Sequence, residues 1–92
     1  MTGTLAGSGS LMLMACFHIH LFNDNDVIDE EGHMLPDLAA AEVEAMRTAR
    51  DVIAEHVVAG RVINLDHRVE ITDADGIVLK IIRFSEAVRF AS

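Results

Sequence analysis

The stretch from Leu35 to Gly60 constrains the fold more than any other part of the chain. Asp37 can accept hydrogen bonds from the unpaired amides of a first helical turn, and Gly60 suits the left-handed position that follows a last turn. Between them, apolar residues recur at intervals of three and four, which predicts one amphipathic helix. The predicted apolar stripe consists of Ala39, Val43, Met46, Ala49, Ile53 and Val57. We expect this stripe to pack on a sheet formed by the rest of the chain.

The chain is short, so its core must be thin. A domain of 92 residues buries only about 60–65% of the surface that its unfolded chain exposes. We therefore expect one layer of helix on one layer of sheet. Hydrophobic residues make up 51% of the sequence, without Trp or Tyr, and this high fraction favours coverage of some apolar surface by a partner subunit.

Charges are distributed unevenly along the chain. Residues 1–46 contain eight carboxylates and no Lys or Arg, whereas residues 47–92 contain seven residues of each sign. A chain with a formal net charge of −8 repels the phosphate backbone, so we expect no binding to nucleic acid. An acidic half suits a basic protein partner, and a solvated acidic face would give the same pattern.

The amino end and the single cysteine bear on where the protein works. Cys16 alone cannot form an internal disulfide or a cysteine-rich zinc site, which is compatible with a reducing cytoplasm. Residues 11–16 resemble a lipoprotein cleavage box, but no Lys or Arg precedes them and their apolar core is short. The apolar run that ends at Phe22 is too short to span a bilayer. We expect a cytoplasmic protein without membrane contact.

Three segments have the alternation of apolar and polar residues that is typical of strands. The first runs from Ala15 to Phe22. The other two, residues 68–72 and 77–84, flank the sequence DADG, whose Asp and Gly favour a tight turn, so they are predicted to form a hairpin. One face of the first strand holds Phe17, Ile19 and Leu21. The opposite face holds Cys16, His18, His20 and Phe22.

These elements predict an α+β fold, with a three- to four-stranded, mainly antiparallel sheet and one long helix on one face, in β-α-β-β order. An acidic loop from Asn23 to Gly32 joins the first strand to the helix, and its Val27 and Ile28 are candidates for a short edge strand. For the strand order we favour the last strand in the centre. Segment 68–72 would then run parallel to the first strand.

The domain is predicted to extend over residues 14–92. Residues 1–13 have no charged side chain and contain several Gly and Ser, and they are predicted to be a flexible N-terminal extension. We expect the residues before about Leu11 to add nothing to the fold, because ordering such residues costs entropy and buries little surface.

Several short motifs occur in the order of a known family. They are Ile19-His20-Leu21, Glu30-Glu31-Gly32, Leu35-Pro36-Asp37-Leu38, the run from Thr72 to Gly76 and the run from Phe84 to Val88. In this combination the chain resembles a widespread family of short, uncharacterised bacterial proteins with a domain of unknown function. Two residues depart from the family pattern, since the place of Ile77 is often polar and that of Lys80 is often apolar. The resemblance implies the fold, favours His20 for any shared role, and implies no activity.

His18 and His20 are the candidate metal ligands. As residues i and i+2 of a strand they project from the same face, about 7 Å apart. A metal site would need a third ligand, from His33, His56, His67 or a carboxylate. The competing interpretation is a pair of half-buried histidines that hydrogen-bond to their surroundings. The spacing of a calcium loop fits neither the acidic loop nor the DADG turn, and we expect no resident cofactor.

No motif in the sequence specifies a reaction. There is neither a G-x-S-x-G nucleophile elbow nor a glycine pattern suited to phosphate binding. Cys16 with His18 or His20 could act as a nucleophile and its base. A cysteine near a flexible amino end is more often a small apolar filler, so the sequence favours a protein that is not an enzyme.

The function that the pattern favours is a small protein-interaction or regulatory module that binds a copy of itself or another protein chain. Both faces of the last strand are apolar, yet one helix covers only one face of a sheet. The resemblance to the family implies that Val78, Ile82 and Phe84 face the helix. The residues expected to face outward, and to be buried in a homodimer, are Ile77, Leu79 and Ile81 with His18 and His20. The alternative is a metal-binding site on the two histidines, with or without enzymatic activity.

Overall fold

The architecture was obtained from a computed structural model, which describes residues 14–89. Residues 1–13, predicted as an extension, lie outside the described residues. The elements are β1 (Ala15–Phe22), β2 (His33–Leu35), α1 (Leu38–Ala59), β3 (Arg68–Thr72), β4 (Val78–Arg83) and α2 (Phe84–Ala87). The predicted α+β fold is confirmed, with the long helix packed on one face of an antiparallel sheet.

The strands form one sheet in the order β2-β1-β3-β4, and each neighbouring pair is antiparallel. The predicted strand order is wrong, because β3 and not β4 lies beside β1. The cause is β2, which places His33 opposite Phe17 and runs antiparallel to β1. This extra reversal before the helix brings β3 back antiparallel to β1. The predicted edge strand contributes one bridge, between Val27 and Leu21.

Helix α1 begins and ends as the sequence predicts. The Asp37 carboxylate accepts a hydrogen bond from the Ala40 amide at 2.9 Å, which satisfies one of the free donors of the first turn. Gly60 has a φ of 70°, the left-handed conformation that glycine adopts without strain. Both ends of the helix are therefore determined by residues next to it in sequence.

The face of α1 that packs on the sheet differs in part from the predicted stripe. Its buried residues are Ala41, Ala45, Ala49 and Ile53. Ala49 and Ile53 were predicted to be buried, whereas Val43 and Val57 are exposed. Three alanines spaced four residues apart let the helix backbone approach the sheet closely. The larger side chains of Val43 and Val57 lie beside this contact and are exposed to solvent. The prediction failed because it gave size more weight than the fit of small residues against a flat sheet.

The core lies between α1 and the inner face of the sheet. Its strand residues are Phe17, Ile19, Val69, Ile71 and Ile82, and Phe84 and Ala87 of α2 close one end. The alternation predicted for β1 and β3 is thereby confirmed. Val78 was predicted to face the helix, but the register shifts by one residue between Ile71 and Thr72. This irregularity places Val78 opposite Thr72, on the other face of the sheet, where it is exposed.

Within residues 14–89, no helix has the length and apolar character needed to cross a membrane.

Candidate functional site

The acidic loop from Asn23 to Gly32, hereafter the latch loop, folds back along the edge of β1, where Val27 bridges Leu21. Its Asp29 contacts the histidines on the outer face of the sheet, the face away from α1. Asp29 connects the loop to β1 and to β2. One oxygen of the Asp29 carboxylate accepts from the Gly32 amide at 2.9 Å, and the other from the Ile19 amide at 3.1 Å. The second oxygen also lies 3.3 Å from Nε2 of His33. One carboxylate thus joins the loop to the two strands that flank it.

His20 holds the same loop residue through its backbone. The Asp29 amide donates to Nδ1 of His20 at 3.0 Å. Because an amide only donates, Nδ1 must be unprotonated and the ring proton must be on Nε2. Nε2 lies 3.1 Å from the hydroxyl of Thr72, a buried residue of β3, and donates to it. His20 therefore links the latch loop to the centre of the sheet in its neutral form.

His18 also binds the backbone of Asp29, but as a hydrogen-bond donor. Its Nδ1 lies 2.7 Å from the Asp29 carbonyl oxygen, so this nitrogen carries the proton and donates it. Nε2 is left as an acceptor, 3.6 Å from Sγ of Cys16. The rings of His18 and His20 are stacked, with centroids 6.0 Å apart and planes inclined by 12°. The two histidines hold the backbone of one residue from both sides.

The environment of Asp29 changes the acidity of its carboxyl group. Partial burial raises the pKa, but hydrogen bonds from Gly32 and Ile19 and the nearby rings of His33 and His18 outweigh that effect. The net result is a pKa of Asp29 below its ordinary value. The carboxylate is thus fully charged at neutral pH.

Gly32 ends the latch loop in a conformation that favours glycine, with a φ of 79°. A Cβ at this position would lie 2.5 Å from Sγ of Cys16 and 3.0 Å from Cε1 of His18. The first distance is shorter than real Cβ contacts and the second is tight, so a side chain at this position would displace Cys16. The glycine of the Glu30-Glu31-Gly32 motif is therefore required by the close approach of the loop to β1.

The arrangement has few features of a metal or catalytic centre. Both ring nitrogens of His20 have hydrogen-bond partners, as has Nδ1 of His18. Within residues 14–89, no three side chains of His, Cys, Asp or Glu converge as metal ligands. His33 approaches Asp29 and His67 approaches Asp24, while His56 bonds to the carbonyl of Val52. Of the predicted nucleophile–base pairs, Cys16 and His18 are in contact.

Sequence reasoning found the two histidines but missed Asp29 and Thr72. The carboxylate lies 10 residues from the amide that it binds in β1, and Thr72 lies 52 residues from His20. Asp29 is one of several acidic residues in the loop, and its spacing from β1 contains no periodic signal. The Glu30-Glu31-Gly32 motif next to it was the available indication that this part of the loop is constrained.

A second candidate surface lies on the last strand. Four apolar side chains are well exposed there, and we call them the β4 patch: Ile77 at 59%, Val78 at 48%, Leu79 at 39% and Ile81 at 44%. On the outer face, Ile81 lies opposite Glu70. The Glu70 carboxylate accepts a hydrogen bond from Nε of Arg68 at 2.6 Å. The Arg68 guanidinium in turn lies 4.6 Å from the ring centroid of Phe22. The patch thus forms the apolar edge of a mixed polar surface.

Fold and site together define a small α+β domain in which an acidic loop is held against the sheet by two histidines. A comparison with protein families matches residues 16–85 to the family described as a domain of unknown function (DUF6894). The chain belongs to this family, and the resemblance noted from its motifs is confirmed. Comparisons with curated proteins and with solved structures gave no match.

Proposed function

We propose that the protein is a small interaction module that associates with a second copy of itself through the β4 patch. The observation that supports this proposal is the exposure of four apolar side chains within residues 77–81, at the start of β4 and just before it. Exposed apolar groups scattered singly are ordinary on protein surfaces. A continuous group on an edge strand costs free energy in water and is typical of a contact surface.

The backbone of β4 adds to this surface. The Phe84 amide donates to the carbonyl of His67 at 2.8 Å, toward the β3 side. Because these directions alternate along a strand, the amide and carbonyl of Ile81 and the carbonyl of Arg83 point to the free edge. The Arg83 amide is already bound to the Glu86 carboxylate at 3.0 Å. A second chain that packs on the patch can therefore reach unpaired backbone groups as well as apolar side chains.

The predicted interface also included His18 and His20. They lie on the same face as Val78 and Ile81, with β3 between β1 and β4. The latch loop holds both histidines. In our proposal the contact surface is Ile77, Leu79 and Ile81 with the adjacent Val78, and the histidines lie at its border. A location in the cytoplasm, favoured by the single cysteine, is part of the same proposal.

Light scattering of the purified full chain at tens of micromolar tests the proposal. We expect a dimer for the wild type and a monomer for Leu79→Asp, because a buried, unpaired carboxylate opposes association. The matched control is Val62→Asp, at a residue of the connector that is 90% exposed, which should remain a dimer. A wild-type monomer, or a Leu79→Asp dimer as tight as the wild type, would contradict the proposal. A wild-type monomer that binds a different protein through Leu79 would replace the second copy with another chain.

A further inference from the structure

The bond between the Asp29 amide and His20 depends on the charge of the imidazole. The Nδ1 atom accepts at 3.0 Å, and it can do so only with a free lone pair. If Nδ1 takes up a proton, two donors face each other over this distance. The hydrogen bond then becomes a repulsive contact, and the Asp29 amide loses its partner.

The other histidine contacts of the loop respond differently to acid. His18 already carries its proton on Nδ1, where it donates to the Asp29 carbonyl. A second proton on His18 would go to Nε2, beside Sγ of Cys16, which can act as a weak acceptor. Protonation of His33 adds attraction to the Asp29 carboxylate. Of these three contacts, the one through His20 alone is broken by protonation.

The charged groups around His20 do not compensate for that loss. Glu70 lies opposite His20 on the neighbouring strand β3. Its carboxylate would favour an imidazolium at His20, but it is bound to Arg68. The Asp29 carboxylate is directed at the amides of Ile19 and Gly32. The remaining loop carboxylates Asp24, Asp26, Glu30 and Glu31 are exposed, so solvent and salt weaken their attraction. On β1 itself, the ring of His18 is stacked on that of His20. A protonated His18 would therefore repel a positive charge on His20.

We propose that the latch loop is an acid-sensitive latch, which neutral His20 holds closed and which opens at Asp29 when Nδ1 is protonated. Acid supplies the proton, and a proton on Nδ1 removes the lone pair that the Asp29 amide needs. Opening exposes the side chains of His18 and His20 on the outer face of the sheet, beside β3. This inference does not rest on the proposed self-association, because it concerns an amide within one chain.

Amide hydrogen exchange of the full chain, followed by NMR from about pH 8 to about pH 5, tests the latch. Expressed as a protection factor, which removes the intrinsic pH dependence of exchange, protection of the Asp29 amide should fall at least about tenfold as His20 titrates. The Ala45 amide in the buried face of α1 reports global unfolding and should stay protected. The ¹⁵N shifts of the His20 ring, recorded on the same samples, identify the tautomer and the protonation step.

Two variants separate His20 from its neighbours. Asn at position 20 places an amide oxygen where Nδ1 lies and does not titrate, so His20→Asn should keep the Asp29 amide protected at pH 5. His33→Asn removes the neighbouring titratable ring and should open as the wild type does. The latch is contradicted if His20 is protonated while the Asp29 amide stays protected, or if His20 remains neutral down to about pH 5. The wild-type measurement decides between these outcomes even if a variant fails to fold.

Discussion

The amide of Asp29 donates to Nδ1 of His20, while the carbonyl of the same Asp29 accepts from Nδ1 of His18. One peptide residue is thereby held by two imidazoles in opposite tautomeric states. Two histidines on one strand face suggest a metal pair from the sequence alone. In the structure their hydrogen bonds hold a loop, which is why polar side chains are found on a half-buried sheet surface.

The Asp29 carboxylate should make stability depend on pH. Its pKa is lowered in the folded protein below the ordinary value of 3.8. The charged form therefore stabilises the fold above about pH 4, and this contribution is lost as the pH falls through the lowered pKa. We expect Asp29→Asn to be less stable than the wild type at pH 7, and the difference to shrink toward about pH 2. Chemical denaturation at several pH values measures it, with Asp26→Asn, at an exposed residue, as a control that shows no such trend.

Gly32→Ala should destabilise the protein through the contact with Cys16. The new methyl group would meet Sγ at 2.5 Å in a backbone with a φ of 79°, so we expect a loss of about 1–3 kcal/mol. Gly76→Ala is the control, since Gly76 has a φ of 84° and nothing within 4 Å of an added Cβ. The larger loss should belong to Gly32→Ala, and Cys16→Ala in the same chain should recover part of it. Equal losses for the two glycines would show that the contact with Cys16 does not matter.

The orientation of α1 can be tested with a pair of truncations. Ile53 is buried and Val57 is exposed, although both belong to the stripe predicted from the sequence. Ile53→Ala should cost about 2–5 kcal/mol, whereas Val57→Ala should stay within about 0.5 kcal/mol of the wild type. Thermal and urea denaturation of the two variants measure the difference. Similar losses would restore the predicted stripe and contradict the helix orientation described above.

The close approach of α1 to the sheet should leave no room for larger side chains. Ala45 is fully buried, so Ala45→Leu forces the helix away from the sheet or strains its side chains, at a cost of about 1–3 kcal/mol. Ala54→Leu adds the same atoms at an exposed position of the same helix and should have little effect. A melting temperature of Ala45→Leu equal to that of the wild type would mean that the packing is loose.

The parts of the fold that the sequence predicted are those with local causes. Asp37 and Gly60 mark the helix ends through their own backbone and side chain, and the turn after Thr72 is formed by Asp73, whose carboxylate accepts from the Ile77 amide. The alternation of Phe17 and Ile19 identifies the inner face of β1, because successive side chains of a strand point to one or the other of two faces.

The parts that the sequence did not predict depend on contacts between distant segments. An alanine such as Ala41 is compatible with a buried or an exposed position. The rotation of α1 about its axis is therefore determined by its packing on the sheet. β2 is three residues long, too short for a periodic signal, yet it reverses the chain and sets the strand order. The role of Asp29 depends on how the latch loop closes over β1, which periodicity does not encode.

The contact between His20 and Thr72 has a consequence for the order in which the protein folds. The two residues are 52 positions apart, so the bond from Nε2 of His20 cannot form until β3 has docked beside β1. On a ribosome, the acidic amino-terminal half would emerge before the segment that supplies all the Lys and Arg residues. The contacts of Asp29 with β1 span at most 11 residues and can form early in refolding, whereas the bond from His20 to Thr72 is expected to form late, when β3 pairs with β1.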